Sequence, residues 1–189
     1  MYSKSIHTYT MDKTHDMALC YPTGKFQKPE AYTPELRQSY VERFIELPGL
    51  LRQATHNLND EQLDTPYRKD GWTPRKIVHH LADSHINSFS RFKTALTEDH
   101  PTIKTYNQDK WIEGSDATLG IKPSLDILEG VHARLSHLTA NMSVEEWGRK
   151  LYHPEMKTDL TLNDMGALYA WHGKHHLTQI TELKKRMNW

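Results

Sequence analysis

The chain has a single cysteine, Cys20, in 189 residues. One thiol excludes an intrachain disulfide and any metal site built from several thiolates, and it fits a reducing compartment. Net charge is missing too, since 24 Lys and Arg meet 24 Asp and Glu. No global field is available to hold a polyanion and no basic block stands out, so nucleic acid is not an expected partner. No apolar run approaches the roughly 20 residues of a membrane span. The opening Met1-Tyr2-Ser3-Lys4-Ser5-Ile6-His7 lacks the apolar centre of a secretory signal. The expected location is therefore the cytoplasm, with no membrane partner. Signature motifs are absent as well: there is no G-x-S-x-G elbow, no phosphate-binding glycine loop and no H-E-x-x-H pair. What the chain does have is histidine, 13 residues of it. Abundance decides nothing, because imidazoles also sit on surfaces and in satisfied core positions; their placement must decide.

A chain of this length suits one domain burying roughly 70% of its unfolded surface. Residues 1–20 are polar without a sustained period and read as a flexible extension; residues 21–189 read as the domain. Its start, with Pro22, Gly24 and Pro29, predicts an extended arm packed on the rest. Thr33-Pro34-Glu35 then announces a helix by a cap residue, a first-turn proline and an early acid. Its apolar residues, among them Tyr40, Phe44, Leu47, Leu51 and Ala54, recur mostly at three- and four-residue spacing, with Pro48 expected to kink or divide it. Trp72-Thr73-Pro74 opens a second helix through Ile77, Leu81, Phe92 and Leu96. A long irregular connection spans residues 100–120. A third helix begins near Pro123 and ends about Met142. Residues 147–162 read as a loop or small hairpin, and a fourth helix, capped by Thr161 or Asn163, runs to about Met187. Four amphipathic helices without persuasive strand alternation predict an all-α four-helix bundle with long connecting loops, a fold that places ligand sites between facing helices.

In the fourth helix an inward stripe follows Met165, Leu168, His172, His176, Gln179, Leu183 and Met187. His172 and His176 are the only H-x-x-x-H pair in the chain. That spacing puts both rings on one helical face, within reach of one metal ion; it equally suits a hydrogen-bonded core pair. In the second helix His80 shares its face with Ser84, Asn87 and Arg91, a polar row where a bundle would place leucine. The row is either a solvent face or a site, because burying those groups without a ligand is costly. His79, His85 and His175 fall out of register with these rows and are expected at the surface, behind the site or in packing. His132, His137 and His153 could reach the site only through tertiary folding.

These segments resemble the DinB-like superfamily, and within it the YfiT-like metal-dependent hydrolases and bacillithiol-transferase-like proteins. The matching text includes Leu63-Asp64-Thr65-Pro66-Tyr67-Arg68, Gly71-Trp72-Thr73-Pro74-Arg75, Val78-His79-His80-Leu81-Ala82-Asp83-Ser84-His85, Tyr152-His153-Pro154 and Trp171-His172 with His175-His176. It covers about residues 21–189. The resemblance implies a four-helix bundle in which His80, His172 and His176 bind the metal, the same three residues that helical geometry singles out. It departs at Lys174, where close relatives can carry histidine, and in the extension of about 20 residues.

Three neutral imidazoles leave a divalent ion its full charge and at least one open position. One ion per subunit is expected, zinc first and nickel as the alternative. Zinc in such a site brings a bound water to a pKa near 7 and would deprotonate a coordinating thiol outright. The expected function is a metal-dependent hydrolase of a small substrate. The alternatives are an S-transferase using a low-molecular-weight thiol such as bacillithiol, and a non-catalytic metal-binding stress protein. Arg91 could clamp a substrate carboxylate or phosphate, or pair with a carboxylate of another helix; Asn87 lies on the same face as a second substrate-binding candidate. Asp83 and Gln179 are candidates to orient an imidazole through its other nitrogen. Tyr106 and Trp111 could roof the pocket or simply anchor their loop. Glu46, Asp83 and Asp164 are carboxylates that could serve as base without a position to favour any, and Cys20 is a poor nucleophile candidate. The residues do not specify an assembly; the resemblance implies a homodimer as one option.

Overall fold

Three threonines start three of the four long helices. Thr33 and Thr73 are extended (φ −88° in both) and accept through their side chains from Leu36 N–H and Lys76 N–H, with a proline in the first helical turn. Thr161 forms a capping box with Asp164. The computed structural model describes residues 17–189. It contains α1 Pro34–Thr55, a short α2 Asp60–Leu63, α3 Pro74–Thr97, a short α4 Gln108–Trp111, a 3₁₀ turn Ser115–Thr118, α5 Lys122–Ala140, a short α6 Val144–Trp147, strands β1 Lys150–His153 and β2 Thr158–Thr161, and α7 Leu162–Met187. The region that left loop and hairpin open is an antiparallel hairpin, Lys150 opposite Thr161 and His153 opposite Thr158. Of the two outcomes expected at Pro48, division of the helix does not occur. Helix α1 runs through it, and the carbonyl that the proline leaves without a backbone donor, that of Phe44, is taken by His132.

The four long helices form the expected bundle. Helices α1 and α3 each pack against both α5 and α7, so the first two long helices in sequence lie diagonally opposite. Each is held through the later pair. The arm is pinned to α7: Tyr32 Oη donates to Asp164 Oδ1 at 2.5 Å, Lys28 pairs with the same carboxylate at 2.8 Å, and Trp171 Nε1 donates to Gly24 O at 3.1 Å. Of the extension expected to be flexible, residues 1–16 lie outside the described residues; residues 17–20 are helical, and the Cys20 carbonyl accepts a hydrogen bond from Gln179.

The apolar interior falls into two clusters. One holds Phe44 of α1, Phe92 of α3, Leu135 of α5 and Met165 of α7. The other holds Leu47, Ala82, Leu128 and Ile180 of the same four helices. On each helix the change of cluster falls at one level, and there lie the buried polar groups His85, Ser88, His132, His175, His176 and Gln179. A polar layer therefore crosses the bundle.

Close helix contact depends on small residues. A Cβ on Gly166 would lie 2.8 Å from Trp147 Cζ3 and 3.0 Å from Tyr40 Cδ2, both on buried rings. Gly166→Ala gains about 1 kcal/mol in helix propensity but overpacks this contact at a cost of about 1–3 kcal/mol, so urea denaturation is expected to show a net loss. Gly130→Ala in α5, with nothing within 4 Å of the new atom, should gain up to about 1 kcal/mol.

Candidate metal centre

The i, i+4 pair of α7 faces α3, its neighbour in the bundle, and there meets His80. One ring nitrogen from each of His80, His172 and His176 lies within 4.8 Å of the others, and Nε2 of His80 is 3.1 Å from Nε2 of His172. Tetrahedral metal ligands with bonds of about 2.0–2.1 Å stand roughly 3.3 Å apart, so this spacing is that of two ligands of one ion. Burial pushes the His80 pKa down to about 4. It also holds His172 and His176 well below the ordinary imidazole range, reinforced by the neighbouring imidazoles. All three rings are thus neutral, with lone pairs free for a cation. Among the described residues no carboxylate joins the cluster. The donor set fits a divalent ion that keeps its charge and an open position.

Each ligand has a backing group. The Trp72 ring sits 4.6 Å from the His80 ring and stacks on His176 at 5.9 Å with 16° between planes, forming an apolar wall. His176 Nδ1 donates to Gln179 Oε1 at 2.8 Å, while Gln179 Nε2 donates to Cys20 O and to His175 Nε2, each at 3.1 Å. Behind His172 runs a row of rings. His172 Nδ1 lies 3.4 Å from His85 Nε2, His85 Nδ1 lies 2.9 Å from His132 Nε2, and His132 Nδ1 donates to Phe44 O at 2.6 Å.

Beside this centre lies a cavity of about 700 Å³, lined in part by Ser84, Arg91, Tyr106, His153, Glu155 and Tyr169. Ser84 is one turn beyond His80, and the Tyr169 ring packs against His172 at 5.9 Å. Of the residues singled out on the polar row, Ser84 and Arg91 reach the cavity. Asn87 does not: its Nδ2 turns back to donate to Asp83 O at 2.9 Å. Among the described residues Arg91 makes no carboxylate pair and its buried Nε has no partner; it donates to Tyr169 Oη at 2.9 Å and to Lys104 O at 3.3 Å. Tyr106 lines the cavity and packs against the exposed Trp111, the ring centroids 4.5 Å apart and the planes tilted by 45°.

Gln179 backs an imidazole, whereas the Asp83 carboxylate makes no hydrogen bond to one. Burial, then the charge of Asp116, raises the Asp83 pKa to about 6. Asp164 is committed to the cap of α7 and to the arm, away from the cluster. Glu46 lines a different cavity, with Arg43 and Lys174. His79, His85 and His175 are all buried, so the surface option is corrected for each; His79 pairs with Ser124 at 2.7 Å. Sequence reasoning missed Trp72 as a wall and the row through His85 and His132. Pro48, four residues after Phe44, was the one available sign that a donor from elsewhere was needed.

His132 makes the fold acid-sensitive. Burial lowers its pKa to about 4, partly offset by its bond to Phe44 O, so below about pH 6.5 the unfolded chain takes up a proton that the folded one refuses. Its contribution is complete above that pH and falls away toward pH 4. Metal-free protein should lose about 2 kcal/mol from this group between pH 7 and pH 5. Urea midpoints measured across that range should fall, and less steeply in His132→Gln.

A family profile described as the DinB superfamily matches residues 43–180. The chain is 44% identical over 171 residues to a Bacillus cereus protein named "Putative metal-dependent hydrolase", covering 90% of this chain and 98% of that one. It is 42% identical over 172 residues to "Putative metal-dependent hydrolase YfiT" of Bacillus subtilis, covering 90% and 97%. The solved structure of YfiT from Bacillus subtilis, described as a probable metal-dependent hydrolase with an unusual four-helix bundle topology, superposes with a TM-score of 0.88 at 42% identity, covering 91% of this chain and 99% of that one.

Proposed function

The chain belongs to the DinB superfamily, and on that premise we propose that it is a metal-dependent hydrolase of a small molecule, with His80, His172 and His176 holding one divalent ion, zinc first and nickel as the alternative. The observation that carries this reading is the convergence of three neutral imidazole nitrogens within 4.8 Å, joined by no carboxylate among the described residues that would offset the ion's charge. When bound, such an ion supplies Lewis acidity, polarising a substrate oxygen and acidifying a coordinated water to a pKa near 7.

The chain's own groups prepare the surroundings. Trp72 keeps water from one side of the ligands. In the adjacent cavity Arg91 is held by Tyr169 and retains a buried Nε without an acceptor, a vacancy that a substrate carboxylate or phosphate would fill. Asp109 and Glu155 line the same space, so the cavity suits a substrate carrying both polar and charged groups. A second reading has one observation in its favour. With no carboxylate in the cluster to serve as base, transfer from a low-molecular-weight thiol such as bacillithiol needs less of the protein, because the ion itself promotes loss of the thiol proton.

Metal analysis of untagged protein is expected to give one divalent ion per chain, lost in a His80→Ala, His172→Ala double variant; unchanged metal content there would sink the site. Parallel assays on ester or amide substrates and on thiol conjugation decide between the two activities, and metal-loaded protein silent in both would favour a non-catalytic role. On substrates bearing a carboxylate or phosphate, Arg91→Ala is expected to raise KM about 10- to 100-fold, the value of one charge-assisted hydrogen bond.

A further inference from the structure

The row behind His172 has a direction that follows from its far end. The Phe44 carbonyl can only accept, so His132 Nδ1 carries a proton. His132 is 1% exposed and His85 0%, and rings so buried without a carboxylate beside them stay neutral, with one N–H each. His132 Nε2 is therefore an acceptor, and the ring facing it at 2.9 Å, His85, must donate through Nδ1. His85 Nε2 is in turn an acceptor, and His172 meets it with Nδ1–H at 3.4 Å. That leaves the lone pair of His172 on Nε2, the atom 3.1 Å from His80 Nε2. Any other tautomer in the row would set two N–H groups or two lone pairs face to face.

We propose that His85 and His132 are positioning residues which, anchored on the carbonyl that Pro48 leaves without a backbone donor, fix His172 as its Nδ1–H tautomer and thereby reserve its Nε2 for the metal. The role reaches two residues beyond the ligand and ends in the backbone of a fourth helix. It requires that His172 be a ligand, as the proposed function holds, and is independent of which reaction follows.

Two measurements test it. In metal-free wild-type protein, long-range ¹⁵N–¹H NMR of labelled histidine should show His172 and His85 protonated on Nδ1; an Nε2–H tautomer at His172 overturns the proposal without any metal present. Zinc affinity, from competition with a chromophoric chelator, should weaken about 10- to 100-fold in His85→Leu and His132→Leu, the usual cost of losing a partner behind a ligand. His85→Gln should recover part of it, because its amide oxygen can accept from His172. Folded His132→Leu with wild-type affinity would overturn the relay while leaving the three-histidine site intact, whereas wild-type protein that binds no zinc or nickel would overturn the site itself. Should the leucine variants fail to fold, Pro48→Ala decides. It restores a backbone N–H to compete for the Phe44 carbonyl and keeps every imidazole, so it should mix the tautomers of His132 and His172 in the same spectra; unmixed tautomers there count against the anchor.

Discussion

Proline cannot donate a backbone hydrogen bond, and inside a helix that strands the carbonyl four residues before it. In α1 the stranded group is the Phe44 carbonyl, and its replacement donor comes from His132 of α5, a side chain that brings a second polar nitrogen into the interior. That nitrogen needs a partner, which is His85 of α3, whose own second nitrogen needs His172 of α7. Leaving any one unsatisfied would cost about 1–3 kcal/mol. All four long helices are thus joined at one level by a single hydrogen-bonded row. The two apolar clusters stop on either side of it, and at its end His172 meets His80 and His176. Such a row is costly to bury in isolation, and here each of its steps from His172 to the Phe44 carbonyl is closed within the protein.

Much of this was legible in the sequence because it follows local rules. Thr33 and Thr73 announced their helices through capping chemistry, Thr161 stood beside Asn163 as a cap candidate, and His172 and His176 stood out as a pair because the i, i+4 relation survives any small error in register. Failures of the reading were tertiary. Met187, placed on the inward stripe, is 48% exposed, and His175, placed off it, is buried; toward the end of a 26-residue helix the neighbours that define "inward" change. Asn87 shares the angular position of His80 yet folds back on Asp83, since helical direction fixes where a side chain begins and not where a polar tip finds its partner. His85 and His132 belong to different helices and 47 residues separate them; no spacing rule connects them. Pro48 signalled a broken backbone bond, and only the assembled bundle shows what mended it.

The site's electrostatics follow from the same economy. A carboxylate ligand would reduce the ion's charge and call for hydrogen bonds of its own in a buried layer. Imidazoles avoid both, because burial already keeps them neutral. Charged groups sit instead in the cavity next door, where Arg91 is braced by Tyr169 and Asp109 and Glu155 complete the lining.

The two ligands on α7 are oriented by different means that end alike. His172 is fixed through His85 and His132 to the carbonyl of Phe44; His176 is fixed through Gln179 to the carbonyl of Cys20. An imidazole can invert its tautomer and an amide can flip, but a peptide carbonyl cannot become a donor. Terminating both rows on backbone oxygen therefore determines the proton on every intermediate group and leaves the Nε2 of His172 and of His176 without one. One terminus lies in the middle of a bundle helix and the other in the segment that precedes the arm. Gln179 thus joins the His176 ring to the residue just before the arm, and the arm that follows is itself held on α7 at Asp164 and Trp171.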